Sequence, residues 1–131
     1  MENFKLIQRL ESTNSRISKE EILMNEMKVN NDIFFKGMSL AYNKLITFGV
    51  KKIPESDLDG NGISWNEFNT LAEKLISRKL TGHAARDMIM EVKSKSFKNE
   101  WNFFYKRILQ KDMRCGVSEK TINNVAIKNN F

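Results

Sequence analysis

Apolar side chains return every three or four positions along most of this chain, and nowhere do they alternate over a sustained run. A period near 3.6 collects side chains on one face of a helix, whereas a strand needs a period of two. One proline in 131 residues does little to interrupt it. Phe4, Ile7 and Leu10 mark a helix from Asn3 to Glu11. Ser18-Lys19-Glu20-Glu21 reads as a capping box opening a short helix through Met27. Asn31 caps a longer one carrying Phe34, Met38, Ala41, Leu45 and Phe48, with Gly49 as its stop. Residues 50–63 form the longest loop. Ser64 then opens a helix with Phe68, Leu71, Leu75 and Ile76 inward, and Thr81 one with Ala85, Met88, Ile89 and Val92 inward. Ser96 caps a sixth, with Phe97, Trp101, Phe104 and Ile108 on one face; Ser118 caps the last, with Ile122 and Val125 inward. The expected fold is all-α: a compact single domain over residues 1–131, about seven helices joined by short turns.

The aromatic run Trp101, Phe103, Phe104 and Tyr105 could stack on bases, but its helical spacing assigns it to the core, with Tyr105 the most exposed. The methionines read as flexible core filler. No apolar run approaches the roughly 18 residues of a membrane span, and the amphipathic start MENFKLIQRLE lacks an apolar signal core. A single cysteine excludes an intrachain disulfide framework and argues for a reducing compartment.

Asp57 to Phe68, DLDGNGISWNEF, imitates a calcium loop. Asp57, Asp59, Asn61 and Gly62 suit its first six positions, but position eight is Ser64 and position twelve is Phe68. Glu67 arrives one residue early, rotated about 100° from the position that would close the cage. The same residues make a turn, Asp-Gly-Asn-Gly, followed by a capping box in which Ser64 and Glu67 satisfy each other's amides.

A formal charge of +6 favours a polyanionic partner. Two stretches give that charge a form. In Arg78-Lys79-Leu80-Thr81-Gly82-His83 two cations end one helix and Thr81-Gly82 begins the next. In Lys111-Asp112-Met113-Arg114-Cys115-Gly116-Val117-Ser118-Glu119-Lys120-Thr121 the order recurs, with Gly116 ending a helix in a left-handed conformation. A helix N-terminus beside cations is an anion site, because its first amides have no intrahelical partner. Two such corners in one basic domain suit the backbone of a duplex, gripped without reading bases and with strong salt dependence.

RKLTGHAA followed by KDMRCGVSEKTINNV resembles the N-terminal DNA-binding domain of ATP-dependent DNA ligases of the T-even bacteriophage type, best from Ile63 to Val125. The RCGVSEKTIN stretch also resembles the equivalent corner of cellular ATP-dependent ligases. The resemblance implies a monomeric, all-helical module that grips nicked double-stranded DNA across the minor groove, in replication, repair and recombination, in the cytoplasm of an infected bacterial host cell or another intracellular setting. It implies contacts from Lys79, Thr81, Gly82 and His83 in the first corner. In the second it implies Arg114, Gly116, Val117, Ser118, Lys120 and Thr121. The Lys-x-Asp-Gly lysine that such ligases adenylylate is missing; at Asp57-Leu58-Asp59-Gly60 an aspartate stands in its place. The nucleotidyltransferase and oligonucleotide-binding-fold domains, with their ATP and Mg2+, are therefore expected elsewhere in a longer parent, acting in cis. No cofactor or metal and no catalysis is expected of these residues alone.

His83 has no second His or Cys placed to complete a zinc site, and Cys115 has no local base that would make it a nucleophile. Lys51 and Lys52 read as a solvated pair within reach of a flanking phosphate. Asp57, Asp59 and Asn61 are expected to face away from a nucleic-acid backbone. The rival reading is a free-standing helical regulator with a base-reading helix, to which Lys93, Lys95 and Lys98 could contribute.

Overall fold

Most helix starts fall where a polar side chain stands ready to take the amide three residues on. The computed structural model describes residues 2–130. Its helices are α1 (Asn3–Ser12), α2 (Arg16–Lys28), α3 (Asp32–Tyr42), α4 (Trp65–Ile76), α5 (Gly82–Lys95), α6 (98–110) and α7 (Glu119–Lys128). No strand occurs among the described residues. Asn31 accepts from the amide of Phe34 at 3.2 Å and Ser118 from Thr121 at 3.1 Å. Ser64 and Glu67 close the full reciprocal box, at 3.1 and 3.4 Å.

Two expected caps are elsewhere. Ser15, not Ser18, caps α2: its hydroxyl accepts from the Ser18 amide at 3.2 Å, which places Ser18 inside the first turn. Ser96 caps nothing at α6. Its buried hydroxyl donates back to the Val92 carbonyl at 2.8 Å, at the end of α5. The first turn of α6 is capped instead from the long loop, where Asp59 Oδ1 accepts from the Lys98 amide at 2.7 Å.

That bond explains the calcium-like loop. The amides of Gly60 and Gly62 donate to the carbonyls of Ser96 and Lys95, at 2.9 and 2.8 Å, so the turn lies flat on the α5–α6 junction. A Cβ on Gly60 would stand 2.4 Å from the Ser94 and Lys95 carbonyl oxygens, so only glycine allows this approach. Trp101 Nε1 donates to the Pro54 carbonyl at 2.8 Å, and Asn102 pairs with both backbone groups of Ser56, tying the loop along α6.

α3 is shorter than its periodicity predicts: it stops at Tyr42, well before Gly49. The Asn43 side chain accepts from the Leu45 amide at 2.9 Å, a local turn that competes with another helical turn. Leu45 consequently faces solvent, whereas Phe48 reaches the core from the loop.

α6 is the central helix, packed on α1 and α3, while α2 packs on α7 and α4 on α5. It opens as Lys98–Glu100, passes through a π-helical turn at Trp101–Tyr105 and closes as Lys106–Gln110. The wider turn shifts the phase of the buried face. Tyr105, expected at the surface, is instead 4% exposed and stacks on Phe68 with ring centroids 4.5 Å apart. Phe103 is the half-buried member, lying under the Arg107 guanidinium at 4.9 Å. Leu6 joins Ile7 and Leu10 in the core, and Phe4 is only half-buried. Glu100, beside α1, has its carboxyl pushed up to about 7 by burial, with an opposing hydrogen bond from the Phe4 backbone.

Candidate nucleic-acid interface

The first corner joins α4 to α5. Arg78 leaves α4 with φ +64°, and Leu80 donates to the Lys74 carbonyl at 3.2 Å, which closes the helix end. Lys79, Thr81, Gly82 and His83 are all exposed. Thr81 begins α5 by position only, because its side chain makes no capping bond. The first bond of the helix runs from the Ala85 amide to the Thr81 carbonyl at 3.3 Å. The amides of Gly82, His83 and Ala84 precede it and stand in the first turn. Gly82 has φ +55°, and a Cβ there would meet nothing within 4 Å. Its surroundings are open space, which leaves room for an approaching atom.

The second corner runs from the end of α6 to the start of α7. α6 ends at Lys111, not at Gly116: Lys111 takes the left-handed conformation, and its amide and that of Asp112 close back on Ile108 and Arg107, at 2.9 and 3.0 Å. This is the glycine-type C-terminal turn made by a lysine. Arg114 and Gly116 follow with φ of +51° and +69°. Arg114, Gly116, Ser118 and Lys120 are exposed and Thr121 is half-buried. Val117 turns its side chain into the core, so only its main chain could meet a ligand, and its carbonyl already accepts from the Tyr42 hydroxyl. Around this corner lies a hollow of about 400 Å3, lined by Tyr42, residues 111–118 and Thr121. Arg114 is held at its rim by Gln110 at 3.0 Å and by Asp112 at 3.8 Å.

Three cations that the sequence presents alike do different work here. Arg107 is buried, donating to the Met113 carbonyl at 3.0 Å and reaching Glu11 at 3.4 Å. Lys111 donates to the carbonyls of Leu40 and Asn43 at 3.0 and 2.8 Å, ending α3 from outside; burial lowers its pKa. Lys19 donates to the Gly116 carbonyl at 3.3 Å. Cys115 is buried, and burial pushes its thiol up, against a nucleophilic role. The Tyr42 hydroxyl, 3.9 Å from that sulfur, is likewise pushed up by burial.

The structure brings the two corners onto one short segment, residues 43–49. From the first corner, Arg78 Nη2 donates to the Thr47 hydroxyl at 2.7 Å, and its guanidinium lies against Gly49. From the second, Lys111 holds Asn43 and stands over the Phe48 ring, 5.8 Å from its centroid. Sequence reasoning read residues 45–49 as the end of a helix and Lys19 as part of a capping box, and gave neither them nor Arg107 a part at a corner, because the contacts of Arg78 with Thr47, Lys19 with Gly116 and Arg107 with Glu11 span 31 to 97 positions. Lys51 and Lys52 are exposed just beyond it. Asp59 and, between Gly60 and Gly62, Asn61 sit on the α5–α6 junction rather than at either corner. Among the described residues no group of His, Cys, Asp and Glu is placed to hold a metal, and no helix is long and apolar enough to cross a membrane.

An all-helical domain with two basic helix corners on a common strut is thus defined by its geometry. No protein-family model and no curated protein matches the chain. Solved structures do, among them the following two. Pmar-Lig_Pre. is 46% identical, superposes with a TM-score of 0.95, and is matched over 98% of this chain and 30% of its own. Pmar-Lig_PreS3 is also 46% identical, with a TM-score of 0.94 and the same coverage. The chain therefore shares the fold of a part of those proteins and spans 30% of their length.

Proposed function

We propose that this chain is the DNA-binding domain of an ATP-dependent DNA ligase of the T-even bacteriophage type. It holds nicked duplex DNA through backbone phosphates across the minor groove, without sequence preference, so that the break can be sealed. The observation that carries this reading is the convergence of both basic corners on residues 43–49. Two helix N-termini fixed to one strut can grip two stretches of phosphate at a set separation. The Pmar-Lig names, at 46% identity, support a ligase-related domain.

In this mechanism the amides of Gly82, His83 and Ala84, and those of Glu119 and Lys120 at the start of α7, receive phosphate oxygens. Lys79, His83, Arg114 and Lys120 supply flanking charge or donors, while Thr81, Ser118 and Thr121 add hydroxyls and Gly116 and Val117 main chain. Adenylylation, transfer of AMP to the 5′-phosphate and sealing belong to the parent ligase, with its ATP, its Mg2+ and its other domains in cis. The setting is the cytoplasm of an infected bacterium, and the domain acts as a monomer.

The test is fluorescence-anisotropy binding to nicked and intact duplexes of two unrelated sequences over a salt series. Equal affinity for both sequences, falling steeply with salt, is expected. The Arg114→Glu/Lys120→Glu variant should bind both more weakly and with a shallower slope. Preference for one sequence would instead favour a helix-turn-helix regulator. Unchanged affinity in the double variant at low salt would remove the second corner from the interface.

A further inference from the structure

We propose that Leu45 is an apolar contact that enters the minor groove between the two phosphate-gripping corners. The inference rests on the duplex-binding reading above and assigns the centre of that interface.

Leu45 is 94% exposed, more than Leu58 at 79% or Ile127 at 76%. It is not exposed for want of local structure. Its amide donates to Asn43 Oδ1 at 2.9 Å, and the Ile46 amide donates to the Asn43 carbonyl at 3.1 Å. That same carbonyl accepts from Lys111 at 2.8 Å. Two residues later Arg78 pins Thr47. On either side of this tied turn the apolar chain faces inward, with Ile46 half-buried and Phe48 buried. One leucine is thus held outward, between the two residues at which the corners are tied to this segment.

Its surroundings select the occupant. Exposed Lys44 precedes it, Lys51 and Lys52 follow, and the corners add Lys79, Arg114 and Lys120. The acids of the second corner are Asp112, paired with Arg114 at 3.8 Å, and Glu119. A protein surface would have to cover the leucine and neutralise these cations together. The minor groove does both: two phosphate rows flank a floor of sugars and base edges against which apolar side chains pack.

The experiment compares Leu45→Ala with the native chain on an intact A·T-rich duplex, in a salt series and then with the duplex saturated by netropsin, which fills the minor groove. Leu45→Ala should bind about tenfold more weakly, because it loses much of a leucine's burial. Its salt slope should not change, since an apolar contact displaces no counterion. Arg114→Glu/Lys120→Glu should lower that slope. With netropsin bound, the difference between Leu45→Ala and the native chain should vanish. If Leu45→Ala binds like the native chain while the double variant is weakened, the Leu45 assignment fails and the duplex reading stands. A lowered slope in Leu45→Ala would also overturn it, as a disturbance of the phosphate contacts. Absence of duplex binding by the native chain at low salt would overturn both.

Discussion

The α4–α5 corner and the α6–α7 corner share one pattern, basic residues, glycine, then a helix start, but they are built to different standards. The first is nearly all surface: Lys79, Thr81, Gly82 and His83 are exposed, and a Cβ on Gly82 would touch nothing. The second is bolted down. Met113, Cys115 and Val117 alternate inward, Arg107 holds the Met113 carbonyl, and Lys19 holds that of Gly116. A corner made of exposed residues can be altered for binding with little effect on folding. A corner whose alternate residues are core cannot, so a binding defect there must be read beside a stability measurement.

The largest effect is expected at Arg107. Replacing it with Met leaves the Met113 carbonyl without its buried donor and removes the bonds to Glu11, for an expected loss of about 3 kcal/mol. Urea unfolding measures it, and a loss below about 1 kcal/mol would mean that the second corner is not clamped as described.

The glycines sharpen the contrast. Both have positive φ, but a Cβ on Gly116 would come within 2.2 Å of Lys19 Nζ, whereas Gly82 faces open space. Gly116→Ala should cost about 2 kcal/mol, because displacing the flexible Lys19 tail also gives up its bond to the Gly116 carbonyl, and Gly82→Ala about 1 kcal/mol, the conformational cost alone. Equal losses in thermal melts would show that the Lys19 tail simply moves aside.

The smallest effect is expected at the first corner's side chains. Lys79→Ala combined with His83→Ala should leave unfolding free energy within about 0.5 kcal/mol of the native value. A larger loss would show that this corner, too, carries structure.

Where cap and capped amide lie three residues apart, the helix start was legible at three of four places, the exception being Ser15, whose role the sequence reading gave to Ser18. Ser64, Asn31 and Ser118 were readable for that reason, and so was the core face of α4. The start of α6 was not, because its capping carboxylate, Asp59, is 39 positions away. The burial of Tyr105 was not either, since a regular period does not foresee a π turn. Among the candidate site residues, Lys79, His83, Arg114 and Lys120 are exposed, while the inward turn of Val117 depends on Tyr42 and on the core.

By itself the sequence determined that this chain is helical, where most of its helices begin, and that basic residues flank two glycine-bearing corners. Those are consequences of period and of bonds within one turn, which neighbours in the chain settle among themselves. Only the tertiary structure decided that Lys111 and Arg78 tie both corners to residues 43–49, with the exposed Leu45 between the two tied positions. Those outcomes depend on side chains meeting across tens of residues, and no local pattern records such a meeting.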